Sequence, residues 1–213
     1  MKKIYLFAIL MVASIAASAQ THVNIIAAPQ VNTRFSVRAG ADVDISIGHS
    51  KFSFVPGLYW SLRNGGYTLD ERTEGGESQR VFEIDDKTHW LTLPLRFAFN
   101  IKKESEKLQT QILFGPYVAF GLAGTSSIKD PQTGKETKSV DTFDKEGYNN
   151  ISRIDAGLNV GVNFIIKKHF VVGAFGELGF IPMSDFSHYT VWTIFATPFS
   201  INLGAGLNLG YRF

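Results

Sequence analysis

The last fifteen residues of the chain, Phe199 to Phe213, alternate apolar with small or polar side chains without a break. Successive side chains of a strand point to opposite faces. One face therefore carries Phe199, Ile201, Leu203, Ala205, Leu207, Leu209, Tyr211 and Phe213, and the other Ser200, Asn202, Gly204, Gly206, Asn208, Gly210 and Arg212. A strand facing bulk water would show Lys, Glu and Thr on its polar side. Here that side is Gly and Asn, which suits a barrel wall with lipid outside and a crowded polar lumen inside.

Similar runs recur upstream. Residues 35–47 lead into 51–63 through Gly48-His49-Ser50, 88–101 into 108–123 through the charged segment 102–107, and 150–166 into 170–180 through Lys167-Lys168. The intervening segments 64–87, 124–149 and 182–198 are long and contain turn residues such as Asn64-Gly65-Gly66 and Asp130-Pro131. Short turns at one end and long loops at the other are the layout of an outer-membrane barrel. If the terminal strand ends in the periplasm, parity requires one more upward strand before residue 35, and Thr21 to Pro29 is the candidate. The expectation is an all-β fold, an eight-stranded antiparallel up-and-down transmembrane barrel. Residues 189–196 are read as an extension of the last hairpin above the membrane. The runs are about 10 to 17 residues against the roughly 9–11 needed to cross a bilayer, so several walls should project beyond it.

The outward faces agree from strand to strand. They comprise Phe35, Val37, Val43, Ile45 and Ile47, then Phe52, Phe54, Leu58 and Trp60, then Leu91, Leu93, Leu95, Phe97 and Phe99. Ile112, Phe114, Val118, Phe120 and Leu122 continue the pattern, as do Ile154, Leu158, Val160, Val162 and Phe164. Trp60, Tyr211 and Phe213 fall near strand ends, where interfacial aromatic girdles form. The inward faces collect Arg38, Asp42, Asp44, Arg96, Arg153, Asp155, Glu177 and Arg212, with Gln109, Gln111, Asn159 and Asn163. A soluble lipocalin-like barrel would turn the apolar face inward and the charges outward. The charge-bearing face also holds Gly40, Gly57, Gly115, Gly157, Gly161, Gly204 and Gly206, which leave room in a narrow lumen and would serve no purpose in bulk water. Four arginines against four carboxylates should pair there, because an unpaired buried charge is strongly unfavourable. An eight-stranded barrel is only wide enough for side chains to fill, so this network is read as a structural plug, with a gated conduit as the alternative.

Lys2 and Lys3 precede the apolar run Ile4 to Ala17, followed by Ala17-Ser18-Ala19. This is the pattern of a secretory signal peptide over residues 1–19, with the barrel domain over 20–213; the run is short for a membrane anchor. The expected location is the bacterial outer membrane. The chain has no Cys, which excludes a lipidated Cys and a disulfide framework. A net charge of +2, near zero without the two leader lysines, argues against nucleic acid as a partner. Aromatics at 13%, 20 glycines and only 19% charged residues fit a lipid-facing β protein.

Phe54-Val-Pro-Gly-Leu-Tyr59, Trp90-Leu-Thr-Leu-Pro-Leu-Arg-Phe97, Phe114-Gly-Pro-Tyr117, Asp155-Ala-Gly-Leu-Asn-Val-Gly161 and Gly210-Tyr-Arg-Phe213 occur in that order. Together they resemble the PorT-like outer-membrane β-barrel family of Bacteroidota, over nearly the whole mature chain. The first strand departs from that family's Gly-rich opening. The resemblance implies insertion by the barrel-assembly machinery, with Tyr211 and Phe213 as the C-terminal insertion signal; Asn208 stands where that signal commonly has Gly. One member's association with type IX secretion makes an accessory role in such a machine an alternative.

The five histidines, His22, His49, His89, His169 and His188, form no metal-binding spacing, and neither metal nor cofactor is expected. Ser184, Asp185, Ser187 and His188 cluster beside the last loop, which keeps a lipid A-modifying hydrolase as a second alternative to ordinary turn chemistry. The main expectation is a non-enzymatic role in surface binding, adhesion or envelope assembly. Loop 64–87 carries seven acidic residues against three basic. Phe186, Tyr189, Trp192 and Phe195, with Ile194, form an apolar group on the last loop. They are read either as a site for a protein or glycan ligand or as an extension of the aromatic girdle. Outer-membrane lipid and the assembly machinery are the other expected partners.

Overall fold

The computed structural model describes residues 21–32, 34–48, 50–72, 78–102, 107–129, 136–143, 152–181 and 202–213. Within these, the strands are β1 (Thr21–Val31), β2 (Phe35–Ser46), β3 (Phe52–Arg72), β4 (Ser78–Lys102), β5 (Leu108–Lys129), β6 (Glu136–Asp141), β7 (Ile154–Ile166), β8 (Phe170–Gly179) and β9 (Leu203–Arg212). All neighbouring pairs are antiparallel. The order β4-β3-β2-β1-β9-β8-β7-β5 returns on itself through a β4–β5 pairing, so eight strands close a barrel. The Thr21–Pro29 segment does form the first strand. It pairs with β2 over its whole length and with β9 at the seam, where Asn24 sits opposite Arg212 and Val31 opposite Ala205.

The alternation follows from having lipid on one side and a packed interior on the other. In β5, residues 111, 113, 115, 117 and 119 are buried while Ile112, Phe114, Val118 and Phe120 are 38–56% exposed. The exposed large apolar residues form a continuous wall that includes Phe35, Leu58, Leu95, Phe97, Val160, Leu207 and Leu209. Such an area of exposed apolar surface is stable only against hydrocarbon.

The segment 64–87, which reads as a long loop in the sequence, is largely strand, and 124–149 carries strand over 124–129 and 136–141. β3 continues through Gly65 and Gly66, paired with Asp86 and Asp85, and the ladder runs on to Arg72 opposite Ser78. Nine residues of added strand extend about 30 Å beyond Arg63. β5 continues to Lys129, and above Phe120 its free edge passes from β7 to β6. Glycine adopts extended backbone as well as turn conformations, so Asn64-Gly65-Gly66 does not force a turn. Residues 1–20, the 182–198 loop with its Ser184–His188 cluster and Phe186–Phe195 group, and the first residues of the 199–213 run lie outside the described residues.

Candidate functional site

The lumen is built by the even-numbered residues of β1 and β2 and the odd-numbered ones of the lower part of β3 (Ser53 to Arg63), of β7 and of β8, with inward residues from β4, β5 and β9. Near the short-turn end, Arg212 Nη2 lies 2.6 Å from Asp44 Oδ2, and Arg212 Nε donates to Asn24 Oδ1 at 2.9 Å. Gln111 Nε2 donates to Asp44 and to Asn100, and Asn100 donates to Ser53 Oγ at 2.7 Å. Asn24 then passes the chain upward, donating to Asp42 Oδ1 at 2.6 Å.

At mid-height Asp42 is the hub. Its Oδ2 accepts from Arg96 Nη2 at 2.7 Å and from the Tyr59 hydroxyl. Tyr59 reaches it because glycines clear its ring: a β-carbon at Gly40 or at Gly57 would each lie 2.7 Å from a ring carbon. Beside it, Arg38 is sandwiched between the rings of Tyr59 at 4.4 Å and Phe175 at 3.7 Å, and its Nη1 meets Glu177 Oε1 at 2.6 Å. Cation–π contact of this kind strengthens where water is excluded.

The layer above centres on Arg63 and Asp155, 3.1 Å apart. Asp155 Oδ2 also accepts from Tyr117 at 3.0 Å and Asn202 at 3.1 Å, and Arg63 lies over the Trp90 ring at 4.8 Å. Arg63 Nη2 approaches Glu177 Oε2 at 3.7 Å, joining the two layers. Phe143, just beyond β6, closes the exterior mouth. It is 8% exposed, sits edge-on to Trp90 at 5.5 Å and packs against the bare backbone of Gly121. On the exterior extension, Asp85 pairs with Arg34 and Lys129. Partial burial pushes the Asp85 carboxyl up, but hydrogen bonding to Lys129 and the charge of Arg34 outweigh it and leave it below the usual carboxylate value.

Of the eight charges read as lumenal, Arg38, Asp42, Asp44, Arg96, Asp155, Glu177 and Arg212 are each no more than 3% exposed and belong to these layers. Arg153 does not. It precedes the first residue of β7, so strand alternation no longer governs it, and its half-exposed side chain lies 3.7 Å from Asp141 and over the Phe143 ring at 4.9 Å. Arg63 takes its place and restores four arginines to four carboxylates. A reading that ends the strand at residue 63 misses this arginine, although its parity matches Tyr59 and Ser61. Tyr59, Tyr117 and Asn24 are further members of the network absent from the sequence-based set, with inward parity as the available signal, and Asn202 joins from the polar face of the terminal run.

Tyr211 lies on the outer wall, stacked on His169 with centroids 5.3 Å apart, and meets Phe213 edge-on at 5.0 Å. The Phe213 amide donates to Val23 O at 2.9 Å, so both aromatics belong to the seam. Among the described residues, no three His, Cys, Asp or Glu side chains are grouped to hold a metal ion. The lumen's chemistry is mutual neutralisation of charge.

The family described as outer membrane protein beta-barrel domain matches residues 9–185, and the chain belongs to it. It is an outer-membrane protein. No curated protein sequence matches the chain. Among solved structures, it is similar to a major outer membrane protein from Thermus thermophilus, at 12% identity and a TM-score of 0.52, covering 91% of this chain and 100% of that one. The N-terminal β-barrel domain of Pseudomonas aeruginosa OprF gives 12% identity and a TM-score of 0.37, over 92% and 100% of the two chains. Ail, the attachment invasion locus protein of Yersinia pestis, gives 13% and 0.35, over 91% and 96%. The likeness to the Thermus thermophilus protein is one of fold.

Proposed function

We propose that this member of the family is a non-enzymatic surface component, binding or adhering through its exterior end, or serving envelope assembly there, while its lumen acts as a plug. One observation carries the reading. The interior is filled by a charge-balanced network under Phe143, whereas β3, β4, β5 and β6 continue as paired strands beyond the lipid-facing wall. Polar side chains that neutralise one another leave little to transport or to catalyse with. A sheet held above the membrane is a surface for a protein or glycan ligand. The quoted motifs favour a PorT-like barrel of Bacteroidota, exported by a cleaved leader over residues 1–19 and inserted by the barrel-assembly machinery through Tyr211 and Phe213.

In-cell crosslinking followed by affinity capture tests the reading. A chain with the exterior extension shortened between Gly65 and Asp86 should still run as a heat-modifiable barrel and lose the crosslinked ligand. Retention of every crosslink by the shortened chain would overturn the role of the extension.

A further inference from the structure

The three short turns share a pattern that the lumen and the exterior sheet do not use. Each begins at or next to a strand end marked by an outward-facing isoleucine, Ile47, Ile101 or Ile166, and in the sequence each carries lysine: Lys51; Lys102, Lys103 and Lys107; Lys167 and Lys168. Against these six lysines the turns hold only Glu104 and Glu106, while the opposite end carries the acidic segment 64–87. Lys51, Lys107, Lys167 and Lys168 are exposed. Backbone hydrogen bonds join the turns to their neighbours: Asn100 N donates to Lys51 O at 2.7 Å, Lys167 N to Lys107 O at 2.8 Å, and Arg212 N to His169 O at 2.7 Å. Lys107 and Lys167, two like charges, are thereby held side by side.

The β7–β8 turn is the most telling of the three. Its first two residues, Lys167 and Lys168, have φ of 51° and 69°. In the three-residue turn Lys167–His169, two successive positive φ values strain an L side chain and favour Asn or Gly. The β2–β3 turn meets the same demand with Gly48, at φ 58°. Two successive lysines therefore hold the strained positions and place two cationic side chains at this end of the barrel. Directly beside the rim stands the apolar collar of Ile47, Phe52, Ile101, Ile166 and Phe170, 39–55% exposed, so the ammonium groups emerge at headgroup depth. Lysines at that depth gain from anionic lipid and can bend toward it on their alkyl stems.

We propose that this basic rim binds the anionic phospholipid headgroups of the leaflet it contacts. The inference rests on the reading of a membrane-inserted barrel with its short turns in the periplasm.

The test reconstitutes the refolded barrel into vesicles of mixed phosphatidylcholine and phosphatidylglycerol. It compares how strongly spin-labelled versions of each lipid are immobilised at the protein surface. The variant combines Lys51→Gln, Lys107→Gln, Lys167→Asn and Lys168→Gly, the last two supplying the residues this turn prefers, so folding is retained. The wild-type chain should favour phosphatidylglycerol by roughly fivefold at low salt, and the variant or high salt should bring the ratio to one. Equal selectivity in both proteins would overturn the proposal. Displacement of the labelled lipid by inorganic phosphate at matched concentration would also overturn it, as a site for free phosphate. A chain that enters no vesicle and shows no heat-modifiable band would bring down the membrane reading itself; insertion without selectivity brings down only the rim.

Discussion

Asp42 and Arg96 meet at 2.7 Å with each only 1% exposed, although β2 and β4 are held apart by β3. The pair bridges over β3, where Gly57 leaves room beside Asp42, and it recruits Tyr59 and Asn24 to the same carboxylate. Asp42→Ala leaves Arg96 buried without its partner. It should lower stability by about 3–5 kcal/mol, read from urea unfolding of the refolded barrel in lipid. Replacing Asp42 and Arg96 together with apolar residues of similar volume should recover most of that loss. A double replacement as damaging as Asp42→Ala would mean that the pair itself is indispensable.

Arg63 and Arg153 give a matched comparison. Arg63 is 4% exposed between Asp155, Glu177 and Trp90, whereas the Arg153 side chain is 52% exposed beside Asp141. Arg63→Ala should destabilise by about 3 kcal/mol or more, and Arg153→Ala by about 1 kcal/mol or less. The same unfolding assay checks both, and equal losses would contradict the assignment of Arg63 to the lumen.

Phe143 stops only the exterior mouth; the Arg38–Glu177 layer lies beneath it. Phe143→Ala alone should therefore leave planar-bilayer conductance at the wild-type level. Adding Arg38→Ala and Glu177→Ala should leave the barrel closed as well, because the Asp42–Arg96 pair and the Asp44–Arg212 layer still fill the lumen. Openings in Phe143→Ala by itself would place the whole barrier at the mouth.

Asp85 makes the exterior sheet sensitive to acid. Its native carboxyl is held below the unfolded value of about 3.9 by Lys129 and Arg34, against the opposing effect of partial burial. The stability it adds is therefore complete above the unfolded value and is lost as pH falls through the lowered native one. Amide exchange near Ile84 and Ile128, which face each other across β4 and β5, should accelerate in that acid range. In Asp85→Asn the same amides should exchange faster at neutral pH, with a weaker dependence on acid. An unchanged acid profile in Asp85→Asn would remove the pair from the account.

The parts of this fold legible in the sequence are those where a two-residue period meets two contrasting media. Phe199 to Phe213 displays it over many residues, and β7 shows the same contrast from Ile154 to Ile166. The period carries no information about where a strand stops. Arg153 and Arg63 have the same parity as residues that face the lumen, and only the strand boundary separates their fates. Partnership across the lumen was equally hidden. Asp155 neutralises Arg63 from 92 residues away, and that choice depends on which strands curl to face each other once the sheet has closed.

The seam has a consequence for the order of events. Asn24 and Arg212 are joined across 188 residues, whereas the hairpins β2–β3, β7–β8 and β3–β4 close over short loops. Loop closure makes distant contacts slow and local ones fast. Sealing β1 to β9 therefore belongs to the last stage of folding, and until then both strands keep an unpaired edge.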